Sequence, residues 1–267
     1  MFQLRLLPAS PLIFVQRVRR AMLAAAWVLG VAIGSAPLLA QNAVVESPQA
    51  QRAENLPPGI NDSFLDPDMK VEDFIKRFEI ESREVFACRQ QILAAVGLQP
   101  GMAVADVGSG TGLYVGAFSS AVGSTGKVYA IDIAPNFVKH LRQRVKDEKL
   151  DNVEVVLCSD RDVNLKPDSV DRVFICDVYH HFEYPVNSMA SVHAALRDGG
   201  ELILVDFDRD GEGERGEWLR GHIRAPKEVF QQEIIDAGFK LEEEVKIDGF
   251  KENYMLRFSK SEGKSKS

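Results

Sequence analysis

From residue 102 onward the chain alternates short apolar runs with amphipathic stretches, and no other feature restricts its possible folds so much. The apolar runs cover residues 102–107, 127–133, 153–158, 170–178 and 202–207. Helix-like stretches separate most of them, at 113–122, 135–150, 185–196 and 226–237. Runs this continuously apolar fit strands buried on both faces. Strands alternating with helices of about 10–15 residues predict a mostly parallel sheet with helices on both sides. Two last runs, 240–247 and 253–258, have no helix between them and predict an antiparallel β-hairpin. The expected fold is α/β, a doubly wound, mostly parallel seven-stranded sheet ending in that hairpin. Ahead of it, residues 71–96 carry a helical stripe from Phe74 and Phe78 to Val96, stopped by Gly97 and Pro100. Ile80-Glu81-Ser82 is a predicted break, with Ser82 capping the second helix.

In such sheets the ligand lies at the carboxyl ends of the strands, near the switch in strand order. The first strand ends Asp106-Val107-Gly108-Ser109-Gly110-Thr111-Gly112. Glycines there permit a tight turn and close approach of a ligand to the backbone, and the helix that follows offers free amides to an anion. The dinucleotide fingerprint needs glycine at the first, third and sixth places. Counted from Gly108 the sixth is Leu113, and from Gly110 it is Val115. A pyrophosphate-binding nicotinamide or flavin site is therefore disfavoured. The second strand ends Ile131-Asp132-Ile133, where an acid can accept both hydroxyls of a ribose in charge-assisted hydrogen bonds. The third ends Cys158-Ser159-Asp160, with Arg161 next to the acid as a possible surface partner. The fourth runs into Asp177-Val178-Tyr179-His180-His181-Phe182-Glu183-Tyr184, with five aromatic or imidazole side chains in six residues. Histidines titrating near neutrality can act as a base or steer an acceptor.

An acid two residues before Gly-x-Gly-x-Gly resembles the first motif of the class I S-adenosylmethionine-dependent methyltransferases, which have a Rossmann-like fold. Asp106, Gly108, Gly110 and Gly112 match it position for position. The resemblance runs from about residue 71 to 260. It implies S-adenosyl-L-methionine as cofactor, its amino-acid part wrapped by the glycine loop, its ribose on Asp132 beside Ile133, and its adenine amino group on Asp160. It also implies that the loop starting at Asp177, counted with the cofactor side, faces the transferred methyl and lines the acceptor pocket. Within the class, the small-molecule members resembling the ubiquinone and menaquinone C-methyltransferases often carry histidine there. The expected catalytic group is Tyr179, His180, His181 and His222, around a small-molecule acceptor methylated on oxygen or carbon. His222 and Arg224, candidates for the acceptor pocket, lie in a stretch between the fifth strand and its helix that reads as a long functional loop, and residues 210–216 before it read as a lid.

The first 40 residues stand apart. They hold Arg5, Arg17, Arg19 and Arg20, no acid, and an uncharged, mostly apolar run from 21 to 40. This is the pattern of an export signal, with Ala40 as a cleavage point; the run is also long enough for an uncleaved membrane anchor, and a buried core helix is the third reading. Residues 41–68 read as a linker, 69–260 as the methyltransferase domain and 261–267 as a disordered tail. The localisation expected is exported or membrane-anchored, with a cytoplasm-facing domain possible in the second case. The chain carries −7 and its first 40 residues +4, leaving the rest near −11. That acidity argues against a nucleic-acid partner. Cys88, Cys158 and Cys176 lie in apolar stretches with no metal-ligand spacing, and no metal is expected. Two rival functions remain at this point: a non-catalytic exported binding module on the same fold, and a nicotinamide-dependent oxidoreductase.

Overall fold

The computed structural model describes residues 51–209 and 213–261. The N-terminal segment 1–40, residues 41–50 of the linker, residues 210–212 of the lid stretch and 262–267 of the tail lie outside the described residues.

The short helices α1 (Asp62–Leu65), α2 (Val71–Phe78) and α3 (Glu84–Ala87) come first, then α4 (Arg89–Val96), closed by Gly97 at φ 70°. Then follow β1 (Ala103–Val107), α5 (Val115–Val122), β2 (Lys127–Asp132), α6 (Pro135–Asp147), β3 (Val153–Leu157), β4 (Val170–Cys176), α7 (Pro185–Ala195), β5 (Leu196–Phe207), α8 (Gly213–His222), α9 (Lys227–Asp236), β6 (Phe239–Glu244) and β7 (Asn253–Lys260). The seven strands form one sheet in the order β3-β2-β1-β4-β5-β7-β6. The first five run parallel, and β7 lies antiparallel between β5 and β6. This is the expected doubly wound sheet with its closing hairpin, and strand order reverses between β1 and β4.

Both faces are covered, so successive residues of the inner strands alternate between two cores. Ala103, Ala105, Val173, Ile175, Leu202 and Leu204 join α7 and α9 through Met189, Val192, Phe230 and Ile234. Val104, Phe174, Ile203 and Val205 join α4, α5 and α6 through Ile92, Val96, Phe118 and Leu141. All five residues of β1 are buried. Asp106 shares the face of Val104, so strand geometry alone carries its carboxyl out of water.

Three local expectations change. Ser82 caps nothing: α3 begins after Arg83 without a side-chain cap. The stretch containing His222 is not a loop, because Gly213–His222 is α8. Part of the expected linker is built into the domain: α1 lies in it, and Phe64 and Met69 pack with Val71, Phe74, Ala134 and Phe137. Asn136 fastens this cap, donating to the carbonyls of Asp66, Pro67 and Met69 at 3.0–3.3 Å. The cap is thereby held over the start of α6, three residues beyond Asp132.

Candidate functional site

The glycine loop crosses from β1 to α5 at the switch point. Gly108, Gly110 and Gly112 all have positive φ, at 76°, 53° and 85°. A Cβ on Gly108 would lie 2.5 Å from a Val178 methyl, and one on Gly112 would lie 2.8 Å from Leu141. At Gly110 the nearest such atom is 3.9 Å away, so the loop is open there. Its path is pinned by β2: the amides of Gly108 and Ser109 donate to the Ile131 carbonyl at 2.8 and 2.9 Å. Arg144, on α6, braces the far side by donating to the carbonyls of Thr111 and Gly112 at 3.1 and 2.9 Å.

Asp132 closes the arrangement. Its carboxylate accepts from the Gly110 amide and the Ala134 amide, each at 2.8 Å. The Gly110 amide is thus already used by a carboxylate and is not free for an anion. Four acids, Asp106, Asp132, Asp177 and Asp206, are gathered at the ends of β1, β2, β4 and β5. Burial pushes Asp106, Asp177 and Asp206 up to about 7 and Asp132 to about 6. A site so rich in buried carboxyl groups favours a cation and disfavours a pyrophosphate. Asp177 adopts the left-handed region at φ 52°. Arg83 holds its carboxylate by an ion pair, and the Asn253 amide donates to it at 2.7 Å. Ile133 is half-buried beside Asp132. Asp160 is half-exposed and pairs with Arg161 at 3.1 Å, whose guanidinium lies 3.6 Å from the Tyr184 ring centre.

The raised carboxyl groups predict a pH dependence. An unfolded aspartate titrates near 4. Between about pH 4 and 7 the folded chain therefore binds more protons at Asp106 and Asp132 than the unfolded chain does. Their contribution to stability is present at the acid end and falls as pH rises through this window. A cationic ligand prefers the ionised carboxylates, so its binding should release protons and tighten from pH 5.5 to 8. Thermal denaturation with and without ligand at the two pH values measures both slopes; a ligand-induced shift larger at pH 5.5 would contradict the assignment.

Across the switch point, the turn after β4 brings His180 and His181 against His222 from the end of α8. Ring centres lie 4.3 Å apart for His180 and His181, and 5.2 and 5.3 Å from each to His222. His180 Nδ1 lies 2.7 Å from Asp206 Oδ1, and the amides of His180 and Phe207 also donate to that carboxylate. When ionised, this carboxylate can only accept, and its two backbone donors favour that form, which places the His180 proton on Nδ1. His181 Nδ1 lies 3.1 Å from Asn61 Oδ1. Burial holds all three imidazoles below the ordinary histidine range. His222 stacks on Trp218 at 4.6 Å.

Tyr179 and Arg224 do not join this group. Tyr179 is fully buried and donates its hydroxyl to Glu233 at 2.9 Å. Arg224 binds the same carboxylate through both terminal nitrogens at 2.7 Å. Both were expected at the acceptor and instead tie the β4 turn to α9. Asn61, Arg83, Asp206 and Asn253 are the site residues the sequence reading missed. Each is far from its partner in sequence, and only the burial of an acid inside the apolar run 202–207 hinted at one of them. A cavity of about 310 Å³, lined by Arg83, Phe207, Arg215, Glu252 and Asn253 among others, opens at the end of β5 beside the start of α3.

Residues 105–204 match the family described as the methyltransferase domain. Over this stretch, which holds the glycine loop, Asp132 and the histidine turn, the chain is similar to that family. A ubiquinone/menaquinone biosynthesis C-methyltransferase of Bordetella parapertussis is 26% identical over 117 residues, 44% of this chain and 45% of that protein. The chain spans less than half the length of the first curated relatives it matches. A methyltransferase structure from Aquifex aeolicus superposes with a TM-score of 0.62 at 24% identity, over 72% of this chain and 98% of that one. The [4+2]-cyclase SpnF also gives 0.62, at 12% identity, over 80% and 100%. These two likenesses establish the fold, and the second is a reminder that one fold hosts several reactions. The cofactor of the class is S-adenosyl-L-methionine, and the donor set fits it: a sulfonium and an ammonium group suit the acidic end of the sheet, and Gly110 leaves the loop open to a ligand.

Proposed function

We propose that the chain transfers a methyl group from S-adenosyl-L-methionine to an oxygen or carbon atom of a small-molecule acceptor. The observation that carries this reading is the pairing of two unlike half-sites across the switch point. On one side buried Asp106 and Asp132 frame the glycine loop; on the other, imidazoles held by Asp206 and Asn61 face the cap. The cofactor supplies an already activated methyl group. Asp132 holds the ribose, Asp106 and the glycine loop hold the amino-acid end, and the cap excludes water. Holding acceptor and donor in line can lower the barrier by about 7–11 kcal/mol at most. His180 leaves its Nε2 without a proton, as an acceptor that must lose one, a phenol or an enolisable carbon, requires. The similarity to the quinone C-methyltransferases supports a small acceptor, as does the cavity beside Arg83 and Arg215.

The test is release of S-adenosylhomocysteine from the full chain, supplied with cofactor and panels of phenolic and enolic acceptors. Release that depends on one acceptor class is expected. Tight cofactor binding with no acceptor-dependent release from any panel would favour the binding-module reading instead.

A further inference from the structure

The three histidines have a second property that general-base chemistry does not require. Their ligand atoms, one from each ring, all lie within 4.8 Å of one another. The partners of the first two dictate which nitrogen is free. Asp206, as a carboxylate, accepts from His180 Nδ1 at 2.7 Å and leaves Nε2 bare. Asn61 donates through Nδ2 to the His181 carbonyl and to Glu183 Oε1, both at 3.1 Å. Its amide is thereby oriented with Oδ1 toward His181, so His181 Nδ1 must be the donor and its Nε2 is bare as well. Two adjacent imidazoles with the same enforced tautomer, each backed by an oxygen acceptor, reproduce the outer sphere that orients metal-binding histidines.

We propose that His180, His181 and His222 form a three-histidine site for a divalent transition-metal ion of the zinc class. A tetrahedral zinc with nitrogens at about 2.0–2.1 Å brings those nitrogens about 3.4 Å apart. A pair standing near the 4.8 Å limit therefore closes by roughly 1 Å on binding. His222 has the most freedom for that movement, because it is only half-buried at the end of α8 and its ring is held by stacking on Trp218. His180 and His181 are held more tightly, by Asp206 and Asn61. Three protein ligands leave a fourth position open, the arrangement of catalytic rather than structural zinc. An oxygen-bearing acceptor coordinated there would lose its proton more readily, without any of the three imidazoles serving as base. The site rests on side-chain geometry and not on the methyl-transfer reading.

Zinc binding to the full chain, by competition with a chromophoric chelator, tests it. One equivalent should bind with submicromolar affinity. His222→Ala should weaken binding at least 100-fold while keeping S-adenosylhomocysteine affinity, which reports the fold. Asn61→Leu should weaken it about 10–100-fold, the usual effect of losing an outer-sphere partner, and Asn61→Asp should restore most of it. Substituted Co²⁺ should show the visible absorption of a four-coordinate nitrogen site without a thiolate charge-transfer band. No zinc binding, binding untouched by His222→Ala, or a thiolate band from Cys88, Cys158 or Cys176 would each overturn the proposal. Zinc bound as expected by a chain that binds no S-adenosylhomocysteine would sink the methyl-transfer reading and leave the metal site standing.

Discussion

Replacing Asp132 by alanine is expected to remove cofactor binding, weakening S-adenosylhomocysteine affinity about 100-fold or more, and to destabilise the fold at the same time. Two charge-assisted hydrogen bonds to a ribose contribute about 1.5–3 kcal/mol each, and each 1.4 kcal/mol is a factor of ten. The second effect comes from contacts within the folded loop. Asp132 satisfies the buried amides of Gly110 and Ala134, and each orphaned amide costs about 1–3 kcal/mol. Asp132→Asn separates the two effects. Its one carbonyl oxygen still satisfies one amide, so it should fold better than the alanine variant yet remain weak in cofactor binding. Calorimetric affinity beside chemical denaturation measures both. An alanine variant that keeps wild-type affinity would show that Asp132 is a structural cap of the glycine loop and nothing more.

Asp206→Asn should leave cofactor affinity within a few-fold of wild type and cut turnover by about 10²–10⁴, the range for loss of general acid–base function. Asp206 is a positioning residue: it is fully buried and acts through His180. An asparagine places its amino group either where Oδ1 meets both His180 Nδ1 and the Phe207 amide, or where Oδ2 meets the His180 amide. In the first case His180 moves its proton to Nε2 and the Phe207 amide loses its acceptor; in the second the His180 amide loses its acceptor and the turn that carries the ring is released. Turnover falls in the first case because base and metal ligand alike need a bare Nε2, and in the second because the ring is no longer held in place. A split between unchanged cofactor affinity and reduced turnover separates this role from a general loss of packing, which would lower both. Wild-type turnover would rule it out.

The fold was legible because its signal is periodic and local. The inner strands, buried on both faces, must be apolar throughout, and these runs, their order of appearance and the helix-free gap before β7 can be read without any long-range knowledge. Gly97 and Pro135 mark a helix end and a helix start as their backbone preferences require. The placement of Asp106, the three glycines and Asp132 was legible for a related reason: they sit at strand ends, where topology converges. The surroundings of the histidines were not. Tyr179 belongs to an aromatic turn that reads as one unit, yet the 3₁₀ turn of residues 179–181 sends its ring into the core against Phe230 and the histidines the other way. α8 was taken for a loop because it is rich in glycine and charge and has no apolar stripe; only Gly216 and Leu219 of it are buried. Asn61 and Arg83 reach across about 120 and 94 residues to their partners, and no local pattern encodes such a contact. The three histidines escaped as a metal set for the same reason, since His222 lies on a separate element far from the adjacent pair.

The central claim is that the acidic glycine-loop site takes a cationic sulfonium cofactor. Isothermal titration of the full chain with S-adenosylhomocysteine and, separately, with reduced and oxidised nicotinamide dinucleotide tests it most directly. The account predicts one site of micromolar or better affinity for S-adenosylhomocysteine, tighter still for the positively charged S-adenosylmethionine, and no measurable heat with either dinucleotide. Saturable binding of a dinucleotide without binding of S-adenosylhomocysteine would contradict it.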